Sequence, residues 1–202
     1  MEHTSHFQNY VRELYARFSA HDAGLSDRLQ RYRNIEPASA QFLSILIRAQ
    51  QSKCVLEIGT STGYSTLWLA EALSSMQGRM VTLEIDAERS KEAQLHAQHL
   101  KLDSYIDFQV TDALDYLQSC QQQFDFILLD AERDAYVEYW SYLPQLLQRQ
   151  GGLLVVDNVL SHAEQVAVFK ALVDLDKRFV SSTVDIGAGL LLITYSIIVS
   201  SK

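Results

Sequence analysis

Two carboxylates and an amide stand at equivalent places in the chain, each closing an apolar run. Phe124-Asp125-Phe126-Ile127-Leu128-Leu129 stops at Asp130, and Leu153-Leu154-Val155-Val156 stops at Asp157 and Asn158. If both runs are strands of one open parallel sheet, their carboxyl ends face the crevice where such sheets bind ligands. Asp130, Asp157 and Asn158 would then converge as an oxygen-only donor set. Such a set suits a hard divalent cation, Mg²⁺, Mn²⁺ or Ca²⁺, with water completing the shell. The competing reading is that these residues only cap the helices that follow.

A second stretch, Val55-Leu56-Glu57-Ile58-Gly59-Thr60-Ser61-Thr62-Gly63-Tyr64-Ser65, reads as strand, glycine-bounded turn and helix start. Glycine permits a tight turn and close approach of a ligand to bare backbone, and the helix start adds unpaired N–H groups. Glu84 closes the next apolar run, near the ~20-residue offset at which an acid holds ribose hydroxyls. A nucleoside ligand is expected. The glycine triplet of dinucleotide binders is absent and Glu57 would repel a pyrophosphate, so the pattern favours a cationic nucleoside over NAD. Gly59-Thr60-Ser61-Thr62-Gly63 also fits the Gly-x-Ser-x-Gly elbow of α/β-hydrolases, with Asp130 or Asp157 and then His162 in triad order. Against a hydrolase, this turn follows the first strand, and nothing upstream resembles a glycine-rich oxyanion loop.

The elements that must position these groups are legible from periodicity. Strands are expected at 54–58, 80–85, 106–110, 124–129 and 153–156, with helices between them. Their continuous apolarity fits a parallel sheet covered on both faces. Tyr136, Tyr139, Trp140, Leu143, Leu146 and Leu147 keep helical spacing and predict one helix, kinked at Pro144. After a helix over 162–177, the runs 179–186 and 190–198 lie too close for a crossover and should pair antiparallel. Upstream, Tyr10, Leu14 and Phe18 sit four apart, and Phe42, Leu43, Leu46 and Ile47 form a stripe behind Pro37, a residue suited to a first helical turn. His96 and His99, and likewise His3 and His6, lie three apart without a third ligand nearby and read as solvated surface residues.

The composition bounds the rest. With 202 residues, 48% hydrophobic and 21% charged, 8 Gly and 2 Pro, disordered and collagen-like readings are excluded, and one core is the expectation. We expect a single domain over 1–202, a helical N-terminal appendage at 1–51 leading into the α/β core at 52–198. The net charge of −8 repels phosphate backbones and anionic membranes, favouring small neutral or cationic partners. Only Arg28, Arg31 and Arg33 form a local basic cluster. Cys54 and Cys120 lack metal or redox spacing, and neither a leader pattern nor a bilayer-length apolar run is present, so a cytoplasmic setting is expected.

In this order, the motifs resemble the metal-dependent class I O-methyltransferases, the group that includes catechol and caffeoyl-CoA O-methyltransferases. The resemblance runs from about Ile35 to Tyr195: Leu-Glu-Ile-Gly-Thr-x-x-Gly-Tyr-Ser, Thr-Leu-Glu-Ile-Asp, Thr-Asp-Ala, Leu-Asp-Ala-Glu-Arg-Asp-Ala-Tyr and Gly-Gly-Leu-Leu-Val-Val-Asp-Asn-Val-Leu. It implies a Rossmann-like fold with a seven-stranded, mostly parallel sheet, one antiparallel strand and N-terminal helices that cover the substrate mouth or form a homodimer interface. It implies S-adenosylmethionine as cofactor, with Glu57, Gly59, Thr60 and Ser65 around the methionine half, Glu84 on the ribose, Asp112 and Ala113 near adenine, and Glu132 as a further cofactor-side acid. Asp130, Asp157 and Asn158 match the family's metal ligands, and the implied acceptor is a small hydroxylated molecule such as a catechol.

Three positions depart from the family pattern. Arg133 replaces the usual lysine; it stays protonated and cannot act as a base, though it can stabilise a phenolate unless it faces outward. Ser161, His162 and Ala163 stand where a tryptophan and a glycine are common, and His162 is a candidate substitute base unless it merely begins a helix. Gly187-Ala188-Gly189 replaces Gly-Asp-Gly. Two alternatives accompany the small-acceptor reading: methylation of a tRNA hydroxyuridine, which the net charge disfavours, and cofactor binding without turnover.

Overall fold

A computed structural model describes residues 2–27 and 30–196, with side chains from residue 6 onward. Arg28, the side chain of His3 and the end of the last predicted strand, residues 197–198, lie outside the described residues. The strands are β1 (Cys54–Ile58), β2 (Arg79–Glu84), β3 (Ile106–Val110), β4 (Phe126–Leu129), β5 (Leu153–Val156), β6 (Phe179–Val184) and β7 (Leu190–Tyr195). They form one sheet in the order β3-β2-β1-β4-β5-β7-β6. Pairing is parallel from β3 through β5, and β7 runs antiparallel to both β5 and β6. The strand order reverses between β1 and β4, and the ligand crevice of an open α/β sheet opens at that point.

Alternation along each strand divides the core in two. Val55, Met80, Phe126, Leu128 and Val155 face α1 (Glu2–Ala23), α2 (Pro37–Gln50), α3 (Tyr64–Ser74) and α4 (Ala87–His99). Leu56, Ile58, Leu83, Ile127, Leu129, Leu154 and Val156 face α5 (Ala113–Ser119), α6 (Tyr136–Tyr139), α7 (Leu143–Leu146) and α8 (Ala163–Leu175). Burial on both faces explains the unbroken apolarity of β4 and β5. Glu57 belongs to the first face; its register partners are Thr82 on β2 and Leu128 on β4. The N-terminal helices share that core: Phe7, Val11, Leu14 and Phe18 are buried, and Phe7 meets Trp68 of α3 edge-on at 5.2 Å. Pro37 opens α2 in its first turn, as its position suggested.

Three expectations need correction. The single helix over Tyr136 to Leu147 is two short ones, α6 and α7, with Pro144 in the first turn of α7. Proline lacks the N–H that would continue α6 and suits a new helical start, so it breaks the segment rather than kinking it. Strand ends are shorter than the apolar runs: Ile85 lies beyond β2 and is 71% exposed, and Phe124 makes only an isolated bridge to Leu147. His96 is buried, not solvated. Its Nδ1 bonds the Tyr10 hydroxyl at 2.7 Å and its ring meets Phe18 edge-on, and burial lowers its pKa. His99 is exposed and stacks on Tyr10 with ring centroids 4.6 Å apart, and His6 is exposed. Among the described residues no helix is long and apolar enough to cross a membrane.

Candidate active site

The β1–α3 turn is set by steric need. Gly59 has φ +104°, and a Cβ there would lie 2.0 Å from the carbonyl oxygen of Asp130, so only glycine lets β1 pass the tip of β4 this closely. Within the turn Ser61 adopts φ +48°, and its N–H donates to Glu84 Oε2 at 2.7 Å. Glu84 Oε1 accepts the Asp86 N–H at 3.0 Å, which fastens the end of β2 to the turn. Thr60 Oγ1 and Thr82 Oγ1 are 2.6 Å apart.

The turn forms one wall of a cavity of about 560 Å³ at the carboxyl ends of the strands, a size ordinary for small-molecule sites. Of the residues picked out by sequence, Gly59, Thr60, Ser65, Glu84, Asp112, Ala113, Asp130, Glu132, Arg133, Asn158 and His162 line it. Glu57 and Asp157 do not; both are buried just behind it, at 0% and 1% exposure. Asp112 caps α5, accepting the Leu114 N–H at 2.7 Å, and Glu132 pairs with Arg33 at 2.6 Å.

Glu57 Oε2 accepts the hydroxyls of Thr66 at 2.5 Å and Thr82 at 2.6 Å, while its Oε1 is buried without a hydrogen-bond partner. Burial pushes its carboxyl up to about 7, against the lowering effect of Ser65, Thr66 and Thr82. At the strand tips the Asn158 Nδ2 donates to Asp130 Oδ1 and to Asp157 Oδ2, each at 3.0 Å, so the three predicted donors are together. Asn158 reaches them with φ +66°, a conformation asparagine tolerates better than most residues. Burial raises both carboxyls well above the usual range. Glu57 adds repulsion at Asp130, and Asp130 adds it at Asp157. Asp157 Oδ1 is buried without a partner.

Such a group of crowded, undersatisfied acids is what a cation would relieve. The donor chemistry also fits, because an amide turned by half a revolution offers oxygen in place of nitrogen. Among the described residues no cluster of three or more His, Cys, Asp or Glu could hold a metal; this set has two carboxylates and one amide.

Arg133 points inward. It is 8% exposed, and its Nε donates to Gln165 Oε1 on α8 at 2.6 Å. His162 stands at the N-cap of α8, with Nδ1 2.9 Å from Ser161 Oγ.

Residues 31–35, to which the sequence assigned no cofactor role, also line the cavity. Asp22 holds this segment by accepting the N–H groups of Tyr32 at 2.7 Å and Arg33 at 2.9 Å. Asn34 donates to Thr62 Oγ1 at 2.8 Å. The arginine cluster noted in the sequence was the available signal. Its described members are engaged within the fold: Arg31 donates twice to the Leu25 carbonyl, and Arg33 pairs with Glu132.

A family model described as O-methyltransferase matches residues 1–194. The chain belongs to the O-methyltransferase family.

Among relatives, it is 36% identical over 131 residues to a catechol O-methyltransferase of Niastella koreensis, covering 63% of this chain and 58% of that one. It is 34% identical over 148 residues to a catechol O-methyltransferase of Mycobacterium tuberculosis, covering 73% and 64%. The alignments thus span less than two thirds of either relative. The crystal structure of an O-methyltransferase from Bacillus cereus in complex with SAH matches with a TM-score of 0.77 at 26% identity, over 92% of this chain and 90% of that one. The fold is that of the α/β methyltransferases.

Within this O-methyltransferase architecture the hydrolase elbow loses its meaning, since Ser61 Oγ donates to the Tyr32 carbonyl at 2.6 Å instead of to a base. The missing aspartate of the Gly187-Ala188-Gly189 loop leaves backbone support intact. The Ala188 carbonyl accepts the N–H groups of Leu160 and Ser161, and the Gly189 carbonyl that of Val159.

Proposed function

We propose that this protein transfers the methyl group of S-adenosylmethionine to one hydroxyl of a small vicinal diol, with a divalent cation held at Asp130, Asp157 and Asn158. The observation that carries the reading is one cavity joining a nucleoside-type turn, closed by Glu84, to the strand-tip residues Asp130 and Asn158, with Asp157 bonded to Asn158 just behind the wall. When bound, S-adenosylmethionine supplies a methyl group made electrophilic by its sulfonium, and SAH, present in the Bacillus cereus relative, is what remains after transfer. The cation supplies Lewis acidity that favours ionisation of the diol.

The chain's own residues do the rest. Glu84 offers its remaining lone pairs to the ribose hydroxyls, Asp112 and Ala113 stand beside the adenine, and Gly59, Thr60 and Ser65 surround the methionine half. Glu57 works from behind by holding Thr66 and Thr82, and through Thr82 the Thr60 of the turn.

His162 takes the hydroxyl proton at Nε2. In the tautomer that carries its proton on Nδ1, which donates to Ser161 Oγ, Nε2 is the accepting nitrogen. Arg133, always protonated, stabilises the acceptor oxyanion while the O–C bond forms and the C–S bond breaks. Holding the acceptor at near-attack distance contributes about 7–11 kcal/mol toward the barrier.

The test is incubation with methyl-labelled S-adenosylmethionine, Mg²⁺ and a panel of catechol, caffeate, a flavonoid diol and bulk tRNA. Label is expected in the diols, and excess EDTA should abolish it. Full activity in EDTA contradicts the metal assignment. Label confined to tRNA contradicts the acceptor, and tight cofactor binding with no product from any acceptor contradicts the transfer.

A further inference from the structure

A buried guanidinium carries five N–H donors in a rigid plane, so whatever holds one edge decides where the other points. Arg133 opens the short 3-10 turn Arg133–Ala135 after β4, beside Asp130, and is one of the few buried charged side chains. Its Nε is taken by Gln165 Oε1 at 2.6 Å, from the first turn of α8. Among the described residues the terminal nitrogens donate no hydrogen bond to protein, and Arg133 lines the cavity that also holds Asp130, Asn158 and His162. Gln165 is itself solvent-exposed, so packing does not account for this contact.

We infer that Gln165 is a positioning residue, fixing the plane of Arg133 so that its two terminal nitrogens face the oxygen being methylated. The inference rests on the function proposed above and assigns it a part on α8. It also explains the pairing. An arginine fixed at Nε presents a directed fork, whereas a lysine here would carry one rotatable ammonium and have no use for Gln165.

A double-mutant cycle over Gln165→Ala and Arg133→Lys tests this, with catechol and labelled S-adenosylmethionine as substrates. The second readout is the apparent ionisation pKa of bound 4-nitrocatechol, taken from its visible absorbance. In the Arg133 enzyme, Q165A should lower kcat about tenfold, the order expected for losing a hydrogen bond to a charged group. KM for the methyl donor and Tm should stay unchanged, and the bound nitrocatechol should ionise at higher pH. In the R133K background the same substitution should change kcat less than twofold and leave the probe's ionisation where R133K alone puts it. Equal effects of Q165A in both backgrounds, or none in either, overturn the inference while leaving methyl transfer standing. A wild-type protein that transfers to no diol removes the proposed function, and this inference with it.

Discussion

At the tips of β4 and β5, Asp130 and Asp157 hold protons that exposed carboxyls release. From an ordinary 3.8 they are pushed up to about 7 and about 8 by burial and by neighbouring negative charge, Glu57's at Asp130 and Asp130's at Asp157. The folded state therefore binds more protons than the unfolded chain. The stability that these two groups contribute is fully present below about pH 4 and is lost as pH rises through the folded values. For the metal-free protein, Tm should fall by roughly 5 °C or more between pH 5 and pH 8.5. Mn²⁺ should raise Tm much more at pH 8 than at pH 6, because the ion competes with these protons. Asp157→Asn should reduce the pH dependence, leaving the part due to Asp130 and Glu57, and remove the Mn²⁺ response. A thermal melt series checks both, and an Mn²⁺ shift that survives the substitution contradicts the assignment. That Asp130, Asp157 and Asn158 would meet was legible because an acid after an unbroken apolar run marks a strand end. That Asp157 lies behind the cavity wall was not, because facing depends on the twist and register of the finished sheet.

Among the elements, the β1–α3 turn ties three strands together. Gly59 lets β1 approach the Asp130 carbonyl, and Ser61 and Thr60 bond Glu84 and Thr82 on β2. Gly59→Ala would set a Cβ against that carbonyl in a backbone conformation alanine disfavours, displacing the turn and the β4 tip. The substitution should cost about 2–4 kcal/mol of stability and weaken SAH binding at least tenfold, as measured by denaturant melts and calorimetry. Unchanged affinity would show that the turn does not shape the cofactor site. Element types were legible where periodicity was strong, and β1, β3 and β5 begin and end at the predicted residues. Local pattern misleads where a tertiary contact overrides it. Pro144 starts a new helix, and His96 on a polar helix is buried because Tyr10 and Phe18 of α1 close over it. Residues 31–35 carry no periodic signal; contacts with Asp22, Ser61 and Thr62, made only in the folded chain, set their place.

For the molecule as a whole, a net charge of −8 coexists with a cavity whose lining holds both acids, Glu84, Asp112, Asp130 and Glu132, and arginines, Arg31, Arg33, Arg89 and Arg133. The sheet separates the two halves of the core, and the cavity opens at the carboxyl ends of its strands, where the order reverses between β1 and β4. The central claim is that this one cavity holds methyl donor and dication side by side. Titration of Mn²⁺ followed by electron paramagnetic resonance, with SAH present, tests it most directly. One ion should bind per chain. That ion should be lost in Asp130→Asn and retained in Arg133→Lys, and its signal should change when catechol is added. No ion bound to the wild-type protein, or one bound equally by Asp130→Asn, would contradict the account.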